Sequence, residues 1–105
     1  MVEESVIQEA GRRLAAAAGS DAQVILFGSH ARGDAGKHSD LDFLVIEPQI
    51  ESRKAEFVRL RNALGEIGVP VDLIVYRRSE AEQWGGVPGT VVYDALREGR
   101  VLAGG

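Results

Sequence analysis

Three short apolar runs constrain the fold of this 105-residue chain more than any other sequence feature. They span residues 24–27, 41–46 and 71–76, and glycine, proline or polar residues bound each of them. A short apolar run between turn residues is typical of a strand that is covered on both faces of a sheet. The chain is therefore expected to fold around a small β-sheet.

The segments around these runs carry helical periodicity instead. Apolar residues recur at intervals of three and four over residues 3–18, 51–66 and 90–98, as one buried helical stripe requires. The predicted order is helix, strand, strand, helix, strand, helix, which indicates an α/β (α+β) fold with a small mixed sheet backed by helices. We expect a single domain over residues 1–102 and a loose tail at residues 103–105.

Composition excludes several classes of function. A formal net charge of -4 argues against a surface that binds duplex nucleic acid unaided. The absence of cysteine excludes disulfides and thiolate metal sites. No apolar run approaches the ~20 residues of a membrane span, and the first residues lack the cationic start of a signal peptide. The predicted location is the cytoplasm, with no membrane partner.

Three aspartates lie in the predicted strands or directly before one of them. Asp40 and Asp42 are two residues apart, so strand alternation places both side chains on one face, and Asp72 lies within the third run. If Asp72 joins them, carboxylates about 5 Å apart repel by roughly 3 kcal/mol per pair at an effective dielectric near 20. A divalent cation would remove that repulsion, and all-oxygen ligation favours Mg²⁺ or Mn²⁺. The alternative is structural: Asp40 caps a turn, and Asp42 or Asp72 pairs with an arginine.

A glycine-serine pair follows the first apolar run directly. Gly28 lets the backbone approach a ligand closely, and Ser29 can donate a hydrogen bond to a phosphate oxygen. Ala31 and Arg32 can begin a helical turn, whose N–H groups would face an anion. Arg32 itself is either a phosphate contact or a clamp on the acidic loop.

Together these two features form a signature. The Gly-Ser pair, ten residues and then Asp-x-Asp resemble the pattern of the DNA polymerase β-like nucleotidyltransferase superfamily. A longer form of the signature also includes Ala31, Arg32, Gly33 and Ser39. This longer form is similar to the signature of the minimal nucleotidyltransferases, which are often encoded beside a HEPN-domain partner as a toxin–antitoxin pair. Asp72 matches the third carboxylate of the family, and residues 95–102 are similar to its C-terminal helix.

The resemblance implies a polymerase β-like fold and a Mg²⁺-dependent transfer of an NMP, with ATP as donor of AMP. One or two Mg²⁺ ions would be bound, and Mn²⁺ could substitute. The acceptor would be a hydroxyl, with a small all-helical HEPN-domain protein as partner and an antitoxin role for this chain. The implied catalytic and metal-binding residues are Asp40, Asp42 and Asp72, and the implied nucleotide-binding residues are Gly28, Ser29 and Arg32.

Two other functions remain open at this point. The chain could be a binding module that neutralises a HEPN toxin by protein contact, with a weak nucleotide site. A polynucleotide polymerase or tRNA-modifying enzyme fits less well, because we expect no second domain for a template and the charge is acidic. His30 and His38 are expected to be solvated, and Trp84 and Tyr76 are expected to pack rather than stack on a base. Base preference and homo-oligomerisation are left open.

Overall fold

The computed structural model describes residues 2–36 and 40–104. Its elements in chain order are α1 (Glu4–Ala18), β1 (Gln23–Phe27), α2 (Ser29–Arg32), β2 (Leu41–Glu47), α3 (Arg53–Leu64), β3 (Val71–Arg77), α4 (Arg78–Trp84), α5 (Val91–Glu98) and β4 (Arg100–Ala103). The predicted strands and longer helices are all present, with ends that differ by one or two residues.

The four strands form one mixed sheet. Their order is β3-β2-β1-β4, with β1 antiparallel to β2 and β4 and with β2 parallel to β3. A parallel pair needs a crossover, and α3 supplies it between β2 and β3. This architecture confirms the predicted α+β class.

Strand alternation divides the core between the two faces of the sheet. On one face α1 and α3 cover the larger cluster, which includes Leu14, Leu26, Phe43 and Leu60. On the other face α4 and α5 cover a smaller cluster around Ile25, Leu44, Ile46, Ala81, Val92 and Ala95. Asp42 and Asp72 share this second face, so the α4/α5 side of the sheet carries both a small core and a pair of carboxylates. None of the helices in the described ranges is long and apolar enough to cross a membrane.

The C-terminal part of the chain differs from prediction. The helix predicted over residues 90–98 is present as α5, but the similarity of residues 95–102 to a C-terminal helix does not hold beyond Glu98, because residues 100–103 pair with β1 as the fourth strand. Ala103 therefore belongs to the sheet rather than to a loose tail, while Gly105 lies outside the described residues. The reason is the turn at Gly99, where a Cβ atom would collide with Ala95 O and Ile25 Cγ2. Only glycine lets the chain turn this tightly against β1 and continue along its edge.

A second difference is α4, because the predicted order of helices and strands contains no helix between β3 and residue 90. The side chain of Glu80 accepts a hydrogen bond from Arg77 N at 2.8 Å, which satisfies a backbone group at the start of this short helix. A seven-residue helix carries too few apolar positions to show a clear period.

Glu47 ends β2 in a buried position, with 6% of its surface exposed. Burial raises its pKa to about 8, and a hydrogen bond to Glu56 and the charge of that residue add to the effect. Arg59 pairs with Glu56 and donates to Ala17 O at 2.8 Å. Within the described part of the chain, Glu47 Oε2 has no hydrogen-bond partner. Because its pKa is raised to about 8, the Glu47 carboxyl is protonated at neutral pH. It can then donate a hydrogen bond to the Glu56 carboxylate, which links β2 to α3.

The raised pKa makes stability depend on pH. A group whose folded pKa lies above its unfolded value stabilises the fold fully below about pH 4.5, and that contribution is lost as pH rises through about 8. Glu47→Gln keeps an uncharged donor, so its melting temperature should exceed that of the wild type increasingly from pH 5 to pH 9. Thermal unfolding across this range measures the gap, with Glu51→Gln, an exposed change nearby, as the control. A gap that does not change with pH contradicts the assignment.

The turn after β1 brings the backbone against β2. Phe27 lies opposite Asp42 in the antiparallel register, and the next residue, Gly28, has φ +76 and ψ -156. Side chains are rarely tolerated in this backbone region. A Cβ at Gly28 would also collide with Asp42 Oδ2 and lie 3.2 Å from Asp42 Cγ. The turn therefore needs glycine for two reasons, its backbone conformation and the carboxylate beside it.

Gly28→Ala should lower the free energy of unfolding through both effects. Backbone strain alone costs about 1–3 kcal/mol, and the collision adds on the order of 1 kcal/mol or more. Gly65 is a matched control, since its φ of +65 and ψ of -157 are nearly the same and the nearest atom, Arg13 Nη1, lies at 3.7 Å. Denaturant unfolding should show a larger loss for Gly28→Ala than for Gly65→Ala.

The excess loss should shrink when Asp42→Ala is combined with Gly28→Ala, because the colliding oxygen is then gone. Equal losses for the two glycine variants, or an excess that persists without the Asp42 carboxylate, would show that Gly28 is required only for its backbone conformation.

Candidate functional site

Two carboxylates face each other across the parallel pair of strands. Asp42 and Asp72 are direct partners in the register of β2 and β3, so both side chains project from the same face of the sheet. Asp42 is half-buried and Asp72 is exposed. Neighbouring strands lie roughly 4.8 Å apart, which places the two carboxyl groups within hydrogen-bonding reach. The predicted approach of Asp72 to Asp42 is present.

The pKa of Asp42 is raised above its ordinary value. Burial raises it first, followed by the charge of Asp72, a hydrogen bond with Asp72 and the charge of Asp40, while the charge of His30 lowers it. A hydrogen bond between two carboxyl groups requires that they share a proton, because an ionised carboxylate can only accept. Asp40 lies just before β2 and is close enough for its charge to act on Asp42. The three predicted aspartates thus lie in one region at the end of the sheet.

The Gly28 turn borders the same acidic cluster, which we define as Asp40, Asp42 and Asp72. The short helix α2 begins at Ser29, directly after Gly28, and Gly28 O accepts hydrogen bonds from the N–H groups of Ala31 and Arg32. The Asp42 carboxylate lies beside Gly28, and Ser29 is the next residue in the chain, so Ser29 is also close to the acidic cluster. The sequence signature and the acidic strands therefore meet at one place.

Arg32 forms its ion pairs with residues outside the acidic cluster. Its guanidinium pairs with Asp34 at 3.2 Å and with Glu98 at 3.0 Å, and these hydrogen bonds, to Glu98 first, raise its pKa. The pairs tie α2 to the end of α5. Of the two interpretations of Arg32, this geometry favours the clamp, and a phosphate contact would require the side chain to leave these partners.

His30, which was expected to be solvated, lies close to the acidic cluster. It is half-buried in α2, and its charge acts on Asp42. The sequence feature that could have indicated this location is the position of His30 next to Ser29, at the start of a helix that follows the Gly28 turn. His38 and Ser39 lie outside the described residues.

Tyr76 and Trp84, the two aromatic residues that could stack on a base, differ in how fully they pack. Tyr76 packs against the smaller core with Arg53 5.3 Å from its ring centroid, as expected for a packing residue. Trp84 ends α4 and is 42% exposed, so its packing is less complete than predicted.

The oxygen ligands of the acidic cluster are chemically suited to a hard cation. The cluster offers only carboxylate oxygens, and crowding already raises the pKa of Asp42. Across residues 2–36 and 40–104, however, no three aspartate, glutamate or histidine side chains are arranged to hold one ion. Asp42 and Asp72 instead face each other across β2 and β3. Ligation by all three aspartates is consistent with their chemistry and would require these side chains to turn outward.

Comparisons with known proteins agree with this geometry. The family model described as "Nucleotidyltransferase domain" matches residues 7–101. A solved structure assigned as a minimal nucleotidyltransferase is similar, with 32% identity and a TM-score of 0.59, over 91% of this chain and 89% of that one. A protein assigned as a nucleotidyltransferase from Sulfolobus solfataricus is 26% identical, with a TM-score of 0.55, over 75% of this chain and 70% of that one.

A third similar structure, a toxin–antitoxin with AMP-PNP, has 21% identity and a TM-score of 0.58 over 99% of this chain and 75% of that one, and it supports the fold alone. A search of curated proteins found no significant match. The family model spans nearly the whole sheet and both halves of the signature, from α1 to β4. The chain belongs to the nucleotidyltransferase domain family and is of the minimal nucleotidyltransferase type.

Proposed function

We propose that this protein is a Mg²⁺-dependent nucleotidyltransferase that moves AMP from ATP to a hydroxyl group on a partner protein. The single observation that carries the proposal is the placement of the Asp42–Asp72 pair beside the Gly28–Ser29 turn. One feature suits a cation, the other suits a phosphate, and a nucleoside triphosphate with its metal presents both.

The side chains divide the work in this proposal. Ser29 donates a hydrogen bond to a phosphate oxygen, and Gly28 lets the chain come close to it. Asp40 and Asp42 would hold Mg²⁺, which when bound stabilises the charge that develops on the phosphoryl oxygens. Asp72 is exposed and therefore reachable by an incoming acceptor, so it receives the hydroxyl proton.

The reaction balances without a further reactant. The acceptor oxygen forms a bond to the α-phosphorus of ATP while the bond from that phosphorus to the α,β-bridging oxygen breaks. Pyrophosphate leaves with the electron pair, and the acceptor proton passes to the Asp72 carboxylate. The products are an AMP ester of the acceptor and pyrophosphate.

The choice of ATP and of a toxin-type partner rests on similarity. The related toxin–antitoxin structure contains AMP-PNP, an ATP analogue. By the resemblance of the signature, the partner would be a small all-helical HEPN-domain protein, with this chain acting as its antitoxin in the cytoplasm. An antitoxin that works only by protein contact would need neither the carboxylate pair nor the glycine turn.

Mg²⁺ with ATP should raise the melting temperature of the wild-type protein. A ligand at about 100 times its Kd stabilises the folded state by about 2.7 kcal/mol. Asp42→Asn should remove most of this rise because it replaces a charged ligand oxygen beside Gly28. Asp21→Asn is the matched control, since Asp21 is exposed in the turn at the other end of β1. A rise in Asp42→Asn that equals the wild-type rise would remove the basis of the metal assignment.

Transfer itself is testable with α-labelled ATP, Mg²⁺ and the product of the neighbouring gene. Intact-mass spectrometry should show that the partner gains one or more AMP groups with the wild-type protein and none with Asp42→Asn or Asp72→Asn. If the partner is bound and neutralised without any mass gain, and Asp42→Asn neutralises it equally well, the protein acts as a contact antitoxin and the enzyme proposal fails.

A further inference from the structure

An open groove runs along the outer edge of β3, between that strand and α3. Its volume is about 510 Å³. The residues that line it are Arg53, Lys54, Phe57, Leu73, Ile74, Val75 and Tyr76. In the sheet formed by the described residues β3 is an edge strand, so one side of its backbone has no neighbouring strand. Exposed edge strands are ready templates for pairing with another chain.

The hydrogen-bond pattern identifies which backbone groups face the groove. Leu41 N donates to Pro70 O, so Pro70 and every second residue after it face β2. Val71, Leu73 and Val75 therefore direct their N–H and C=O groups outward. Arg53 Nη1 already donates to Val75 O at 3.2 Å. No side chain in the described ranges bonds to the outward groups of Val71 or Leu73, which flank Asp72.

The walls of the groove combine apolar surface with positive charge. Phe57, one of the three phenylalanines in the chain, is a large apolar residue, yet 38% of its surface is exposed. Lys54 is exposed and makes no ion pair with any described residue, whereas the neighbouring Arg53 is paired with Glu80. No acidic side chain lines the groove, in a protein whose net charge is -4. These properties fit an extended segment with apolar residues and at least one carboxylate.

We infer that this edge is where the acceptor protein docks, by adding an acidic, apolar strand segment to β3. The inference rests on the proposed transfer to a protein hydroxyl. The added strand would pair with Val71 and Leu73, place an apolar side chain on Phe57 and place a carboxylate at Lys54. β-Strand addition of this kind obtains affinity from main-chain bonds and specificity from side-chain pockets.

The position of the groove explains why docking there serves the reaction. Leu73 and Ile74 follow Asp72 directly in β3. Because a strand rises roughly 3.3 Å per residue, both lie within about 7 Å of Asp72 along the strand. A hydroxyl residue at the Asp72 end of the docked segment would then reach the carboxylate that takes its proton. Its oxygen bonds to the α-phosphorus of ATP and pyrophosphate leaves, as in the proposed reaction. The charges set the direction, because a partner carboxylate is attracted to Lys54 and repelled by Asp72.

The test uses two synthetic peptides of alternating valine and charged residues with one tyrosine near the end. One peptide carries glutamate and the other carries lysine at the charged positions. Titration into ¹⁵N-labelled protein should shift the amide signals of Val71, Leu73 and Phe57 with the glutamate peptide and not with the lysine peptide. Lys54→Glu and Phe57→Ser should each weaken the glutamate peptide at least about tenfold.

Val58→Ser is the matched control, because Val58 is 48% exposed on the same helix but does not line the groove. It should leave peptide affinity unchanged, and Lys54→Glu provides the test if Phe57→Ser does not fold. Equal binding of both peptides, shifts confined to another surface such as that around Leu96, or no shifts at millimolar peptide would overturn the inference. Peptide binding at β3 without AMP transfer, in a protein that also lacks the ATP-induced stabilisation, would instead count against the proposed function and leave the docking surface intact.

Discussion

The parallel register of β2 and β3 is the constraint on which the site depends. It places Asp42 opposite Asp72 on one face of the sheet. Two ionised carboxylates about 5 Å apart repel by roughly 3 kcal/mol at an effective dielectric near 20. A proton or a cation between the two carboxylates would relieve this repulsion. Burial first, and then the charge of Asp72, raises the pKa of Asp42, and the proposed metal would provide the cation.

The remainder of the sheet accommodates this unfavourable pair. The opposite face of β2 buries Leu41, Phe43 and Val45 under α1 and α3, so the strand that carries Asp42 is held by apolar packing on its other side. The antiparallel strand β1 then delivers Gly28 to Asp42, because Phe27 is the register partner of that residue. The site is thus built where a well-packed strand presents its polar face to a turn that only glycine can make.

Much of this could be predicted from sequence because alternation is a local property. The runs at residues 24–27, 41–46 and 71–76 became strands, the two-residue spacing of Asp40 and Asp42 predicted a shared face, and the charge of Asp40 does act on Asp42. β4 was missed because residues 100–103 carry no turn signal of their own, and they form a strand only because Gly99 brings them against β1.

Properties that depend on distant contacts could not be predicted in the same way. Glu47 looks like a surface residue before Pro48, and its burial follows only from the packing of α3, which brings Glu56 to it. Arg32 has two interpretations in the sequence, and its ion pair with Glu98 at the end of α5 favours the clamp. Side-chain partners far apart in the chain decide both cases.

The central claim is that the Asp42–Asp72 pair and the Gly28 turn together bind a metal and a triphosphate. The most direct measurement is anomalous diffraction from crystals of the protein grown with Mn²⁺ and a non-hydrolysable ATP analogue. Our account predicts an anomalous peak within coordination distance of Asp42, with the triphosphate against Gly28 and Ser29. A peak located elsewhere, for example beside Glu56, or a triphosphate bound away from the Gly28 turn would contradict it.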